Sequence, residues 1–399
     1  MHEESYVSTQ VIGKANLFKK AKLILSRLDI ELTERCNNSC IHCCINLPFD
    51  DADAKKRELS TAEIKKILEE AVALDCLSVR FTGGEPLLRE DFHELYLFAR
   101  KLGLRVMIFT NATLITPDLV ALFAMIPPLE RIEVTVYGMK KGSYEAVTRV
   151  LGAYEAAWRG INLLLENKIP FIVKGALLPQ NKEEVEAFEA WAAVNVRGLN
   201  GRPPTYSMFF DLRCRRDNAV KNRLIEDLRL SPEEGLKQLT RQESYIKEMK
   251  EFCSKFMRPS GDKLFSCGAG CGVSVDAYGI LQPCMMLRHP DCVYDLKKGS
   301  LKDALKIFFP KLRQRKAANP EYLKRCARCF LRGLCEQCPA KSWMEYGTLD
   351  TPVEYLCHVA HEQARFLGLI GKIENSWEVS GWEDRINGFV EDKHGSFVK

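Results

Sequence analysis

No apolar run in this 399-residue chain approaches the ~20 residues that cross a bilayer, which excludes a transmembrane helix. The start, from Met1 to Ser5, is polar and lacks the hydrophobic segment of a secretory signal. Low-complexity tracts and short-period repeats are missing, which excludes solenoid arrays. A strong charge excess is missing too: 58 Lys and Arg against 53 Asp and Glu leave +5. The basic residues are spread out, with local concentrations at Arg213, Arg215 and Arg216 and at Lys311, Arg313, Arg315 and Lys316. Both concentrations read as solvated faces, with an acidic partner or substrate as the alternative. No interleaving of basic and aromatic residues points to nucleic acid. What remains is a cytoplasmic globular chain, partnered by neither membrane nor nucleic acid. At 46% hydrophobic and 28% charged it has ample material for a core.

Cysteine is abundant, at 16 residues. In a cytoplasmic chain that argues for metal ligation and against disulfides. Cys36, Cys40 and Cys43 form a Cys-x3-Cys-x2-Cys triplet on the loop after a strand-like run at 28–33. Three thiolates ligate three irons of a [4Fe–4S] cluster and leave the fourth open to a substrate or cofactor. A cluster closed by four thiolates mainly moves electrons. The alternatives are unrelated thiols or half of a zinc site. A zinc ribbon would bring its second Cys pair nearby, and none comes before the C-terminal third.

Residues 28–212 alternate strand and helix signals. Apolar runs at 28–33, 77–82, 104–110, 130–136, 170–177 and 205–212 predict strands. Helical patterns fall at 60–74, 90–102, 116–125, 143–166 and 182–194, the first opened by a Ser60/Glu63 capping box. Six β/α units imply a parallel sheet, two units short of a full barrel. Residues 1–27 form an N-terminal extension and 213–263 a charged helical connection. From 264 Cys and Gly rise, giving a small Cys-rich domain to 373 whose closing helix lies at 357–373. Residues 374–399 read as a polar, mobile tail.

The triplet, with Thr82-Gly83-Gly84-Glu85-Pro86 after the second strand, resembles the signature of the radical S-adenosylmethionine (SAM) superfamily. The resemblance implies a partial, TIM-like (β/α)6 barrel with its site at the C-terminal ends of the strands. It implies that the open iron chelates SAM and that Gly83, Gly84 and Glu85 hold the SAM amino group. Thr110, Asn111 and Thr113 resemble a TNGT motif with Ala112 in place of Gly. Thr135 ends the fourth strand, where a hydroxyl commonly reaches SAM. Lys174 is a candidate for the SAM carboxylate, a solvent-facing strand residue being the alternative. His42 stands where the family carries a ring near the adenine, with packing as the alternative.

Cys267, Cys271, Cys284, Cys326, Cys329, Cys335, Cys338 and Cys357 suffice for two four-thiolate clusters, or for two structural zinc sites. Their order resembles the SPASM extension of peptide-modifying radical SAM enzymes, with Cys335-x2-Cys338 one residue shorter than usual. The resemblance assigns Cys267, Cys271, Cys284 and Cys338 to one auxiliary cluster. Cys326, Cys329, Cys335 and Cys357 make the other, giving three [4Fe–4S] clusters in all. Of the rest, Cys44, Cys76, Cys253 and Cys292 read as buried inert thiols. Cys214 ends the sixth strand and is a candidate for catalysis, as a hydrogen-atom donor or a substrate contact.

The reading implied is an enzyme that cleaves SAM reductively and abstracts hydrogen from a peptide or small protein, forming a thioether or C–C crosslink. An external donor, flavodoxin or ferredoxin, would supply the electron. Twenty-seven residues before the first strand are too few for a leader-binding domain, so either a separate leader-binding protein is a further partner or none is needed. Sulfatase maturation is a second reading. It is opposed by Met285, where such enzymes have Asp, and by the sequence Thr135-Val136-Tyr137-Gly138. Tetrapyrrole modification is a third, with basic residues near 213–223 meeting propionates. A non-catalytic electron-transfer protein is the remaining class, and it would need no SAM pocket.

Overall fold

The computed structural model describes residues 25–210, 212, 218–267, 270 and 272–392. Six strands lie side by side in chain order and parallel: β1 (Leu28–Thr33), β2 (Ser78–Gly83), β3 (Arg105–Thr110), β4 (Leu129–Val136), β5 (Phe171–Ala176) and β6 (Thr205–Ser207). Helices Thr61–Val72, Phe92–Lys101, Pro117–Met125 and Val185–Asn195 connect them. This is the expected partial (β/α)6 barrel. Its outer layer follows from sequence: Leu28, Ile30 and Leu32 alternate with polar residues on β1 and are buried under the helices. The Ser60/Glu63 capping box is formed, with Ser60 N–H donating to Glu63 Oε2 at 2.8 Å.

Four expectations need correction. The helical pattern at 143–166 divides into Lys141–Thr148 and Ala153–Glu166, because Arg149 and Gly152 adopt left-handed φ of 59° and 80°. The sixth strand stops at Ser207, and Met208, Phe209 and Phe210 turn into a cavity. The closing helix is Glu354–Phe366, not 357–373. The segment after 373 is not a polar tail through its described part. Trp382–Glu391 is a helix, with Ile386 and Phe389 buried in a second core beside helix Tyr245–Phe256. Trp382, Ile386, Phe389 and Val390 share one helical face, a pattern that the polar average conceals. Glu374 fastens this segment through Arg385 at 2.6 and 2.9 Å.

Composition changes at 264, yet the sheet runs across that point. Strand β7 (Val273–Val275) pairs in parallel with β1, and β8 (Ile280–Gln282) and β9 (Tyr294–Asp295) follow antiparallel, giving the order β9-β8-β7-β1-β2-β3-β4-β5-β6. The Cys-rich region is thereby tied directly to the barrel. The inward side of the strands is charged. Arg288 meets Glu31 at 2.5 and 2.6 Å, Arg80 pairs with Asp29, and Lys174 lies 3.3 Å from Glu133. Phe109 is covered by Arg80 at 4.7 Å and by Lys174 at 3.3 Å, a cation–π arrangement on both. Among the described residues no helix is long and apolar enough to cross a membrane.

Candidate active site

At the C-terminal ends of the strands lies a cavity of about 720 Å³. Cys36, Cys40 and Cys43 line it together with Gly83, Gly84, Thr110, Asn111, Thr135 and Lys174. Residues from five separate stretches of sequence thus meet at one place, the end of the barrel where βα loops gather.

The two glycines are required by the chain itself. Gly84 N–H donates to Thr33 O at 2.8 Å and Glu85 N–H to Arg35 O at 3.0 Å, which binds this turn to the start of the Cys loop. A Cβ on Gly83 would stand 2.1 Å from Thr33 O, and one on Gly84 2.2 Å from Arg35 O. Gly83 also has φ of 124°, open to glycine alone at low cost.

Glu85 has a different place from the one expected. It is fully buried and is not among the residues facing the cavity. Its carboxylate accepts from Thr110 Oγ1 at 2.9 Å, Asn111 N–H at 2.8 Å and Leu87 N–H at 3.1 Å. Burial raises its carboxyl to about 7 in spite of these donors. Glu85 therefore acts as a clamp on the Thr110–Asn111 corner, and its side chain does not reach the cavity. Asn111 in turn passes that order to the triplet. Its Nδ2 donates to Asn37 Oδ1 at 3.0 Å and lies 3.7 Å from Cys36 Sγ, while Asn37 Nδ2 donates to Thr113 Oγ1 at 2.7 Å. Ala112, where the family motif has Gly, sits at φ of 63°, a left-handed conformation that costs a Cβ-bearing residue ~1 kcal/mol.

The triplet thiols suit a metal cluster chemically. Burial pushes Cys36 up strongly and Cys40 to about 12, and the neighbouring triplet thiols add to both shifts. A thiolate is stable there when a cation binds it. Donors are arranged around the sulfurs: Asn38 N–H reaches Cys36 Sγ at 3.4 Å, and the Tyr137 hydroxyl bonds to Cys40. Lys221 Nζ donates to Cys40 O at 2.7 Å.

His42 is packed between Phe210, at 5.1 Å, and Tyr137, at 5.7 Å, and also lines the cavity. Burial, with Lys221 nearby, lowers its pKa to about 4, so it is neutral at pH 7. Its buried Nδ1 has no hydrogen-bond partner. Burial lowers Lys174 from its ordinary value, while Glu133 works in the opposite direction. Cys44, expected to be buried and inert, is half-buried on the cavity wall. Cys76, Cys253 and Cys292 are buried away from it. Cys214 and Cys271 lie outside the described residues, as do Arg213, Arg215 and Arg216. The outer wall went unread in the sequence. Phe209, Phe210, Leu239, Met249, Phe252, Leu334, Leu356 and Val359 line the same cavity. They come from loops and helices whose mutual placement no local pattern encodes.

The remaining cysteines fall into two groups. Cys326, Cys329, Cys335 and Cys357 line one small pocket. Burial raises Cys326 to about 12, with Cys329 and Cys357 adding to the shift. In the other group, burial raises Cys284 to about 11, and Cys338 and Cys267 are close enough to contribute. So Cys338 sides with Cys284 although Cys335 is its sequence neighbour. Among the described residues no three His, Cys, Asp or Glu side chains converge tightly enough for a single ion. A cage cluster binds each thiolate at a different iron.

Residues 30–192 match the model of the radical SAM superfamily. The chain is 30% identical over 155 residues to the AdoMet-dependent heme synthase of Methanosarcina barkeri, covering 39% of this chain and 43% of that protein. It is 32% identical over 168 residues to the mycofactocin maturase MftC of Mycolicibacterium smegmatis, covering 41% and 40%. These matches span about two fifths of the length of those relatives. The structure resembles Streptococcus suis SuiB bound to the precursor peptide SuiA, with a TM-score of 0.61, 16% identity and coverage of 90% of this chain and 84% of that one.

Proposed function

We propose that this chain, which carries a radical SAM domain over residues 30–192 followed by a SPASM-like Cys-rich extension, cleaves SAM reductively and takes hydrogen from an apolar residue of a peptide. The observation that carries the reading is the single cavity. It gathers the Cys triplet, the Gly83-Gly84 turn, the Thr110–Asn111 corner and a set of apolar side chains around one space. A [4Fe–4S] cluster at Cys36, Cys40 and Cys43 would supply one electron to SAM, releasing methionine and a 5′-deoxyadenosyl radical.

The chain's own residues bind and orient. Exposed backbone at Gly83 and Gly84 meets the SAM ammonium, Lys174 its carboxylate, and Thr135 a further polar group. The unpartnered His42 Nδ1 is left for a donor on the ligand. The apolar wall excludes water from the reacting centre and accepts an uncharged side chain. Cys267, Cys271, Cys284 and Cys338, and separately Cys326, Cys329, Cys335 and Cys357, would hold two auxiliary clusters that carry electrons between the site and a flavodoxin or ferredoxin.

The likeness to a heme synthase favours a second reading, a tetrapyrrole substrate. The described wall does not support it. Of the two lysines among its described residues, Lys341 is paired with Glu336 at 3.2 Å and Lys174 is already assigned to the SAM carboxylate, which leaves little to meet several propionates. The test supplies SAM, dithionite and either deuterated peptides encoded beside this chain's gene or Fe-coproporphyrin. A peptide is expected to pass deuterium into 5′-deoxyadenosine, and Phe252→Asp to cut that transfer at least tenfold while SAM cleavage continues. Transfer from the porphyrin and none from any peptide would overturn the peptide assignment.

A further inference from the structure

The strongest unassigned feature surrounds the pocket of Cys326, Cys329, Cys335 and Cys357. Ser376, 1% exposed, places its Oγ 2.9 Å from Cys329 Sγ and 3.0 Å from His361 Nε2. His361 Nδ1 lies 2.8 Å from Cys357 O. On the other side, Arg325 Nη2 donates to Cys357 Sγ at 3.6 Å. Arg325 is held in place by Glu354, at 2.7 and 2.8 Å, and by the Trp377 ring, 4.8 Å away. Ser376 and Trp377 belong to the segment that reads as a polar tail in the sequence, yet they close this pocket.

The geometry points to Ser376 and Arg325 as positioning residues that set the reduction potential of the centre held by these four thiolates. This inference rests on the cluster assignment above. His361 Nδ1–H donates to Cys357 O, so Nε2 is an acceptor, and the one Ser376 hydroxyl hydrogen is shared between it and the Cys329 thiolate, which carries no hydrogen of its own. Donation to a ligand sulfur, and a guanidinium beside another, both favour the more negative, reduced state of a cluster. Two donors from opposite sides therefore raise the potential of this centre, and the chain after 373 supplies one of them.

The test uses full-length, anaerobically reconstituted protein. EPR-monitored redox titrations compare wild type, Ser376→Ala and Arg325→Met, with iron and zinc measured in each. Both variants are expected to keep wild-type iron. One centre should show a reduced-to-oxidised ratio about tenfold lower at fixed applied potential, which is 59 mV for a one-electron couple. The other signals stay in place, and the shifted signal is missing when Cys326 and Cys329 are replaced by Ala. Should Ser376→Ala lose iron, the partly exposed Arg325 carries the measurement alone. Intact iron with every ratio within twofold of wild type overturns the inference and leaves the cluster assignment standing. Zinc at these thiols in the wild type overturns both.

Discussion

Replacing Cys36, Cys40 and Cys43 together with Ala is expected to abolish SAM cleavage and leave about eight irons of the about twelve that three [4Fe–4S] clusters bring. The expectation follows from the separation of the three Cys groups. The triplet lies on the barrel cavity, Cys326, Cys329, Cys335 and Cys357 line another pocket, and Cys267 lies close enough to Cys284 and Cys338 to act on both. Removing one group leaves the donors of the others untouched. The fold should survive, because the triplet loop is also held by Ser39 N–H to Thr148 O at 2.9 Å and Ile41 N–H to Val147 O at 3.0 Å. Iron and sulfide analysis with chromatography of 5′-deoxyadenosine reads both effects. A triple variant that still makes 5′-deoxyadenosine would place radical generation elsewhere.

Glu85→Ala should unfold at markedly lower urea concentration, by about 3–5 kcal/mol, and lose affinity for SAM as a consequence. The size comes from three donors left facing an apolar gap: the Thr110 hydroxyl and the N–H groups of Asn111 and Leu87. Each buried unsatisfied donor costs about 1–3 kcal/mol. The affinity loss follows because Asn111 then no longer holds Asn37 and Cys36. A direct ligand contact would behave differently, weakening SAM binding with stability unchanged. Urea titration of the protein without SAM separates the two. A stable Glu85→Ala with weak SAM binding would return the carboxylate to the cavity wall.

Much of the architecture is legible in sequence because buried parallel strands read as short apolar runs separated by helical periodicity. The Ile30 and Val79 runs fall where β1 and β2 are found. The triplet and the Gly83-Gly84 turn are legible because each is local. Local pattern does not show which groups meet across long stretches of chain. Arg288 and Glu31 are 257 residues apart, so their pairing inside the barrel leaves no mark on either segment. Glu85 looks like a ligand group until its three internal donors are seen. The joining of β7 to β1 escapes notice because three residues are too few for a periodic signal. Helix Trp382–Glu391 escapes for another reason: its apolar face is outvoted by Glu383, Asp384, Arg385 and Glu391 in any average.

The central claim is that SAM binds at an iron held by Cys36, Cys40 and Cys43. The most direct measurement is the EPR spectrum of the dithionite-reduced protein with and without SAM. The account predicts that saturating SAM alters one [4Fe–4S] signal, that this signal is absent from the triple Cys variant, and that the remaining signals do not change. Superimposable spectra from protein with full iron content and saturating SAM would contradict it.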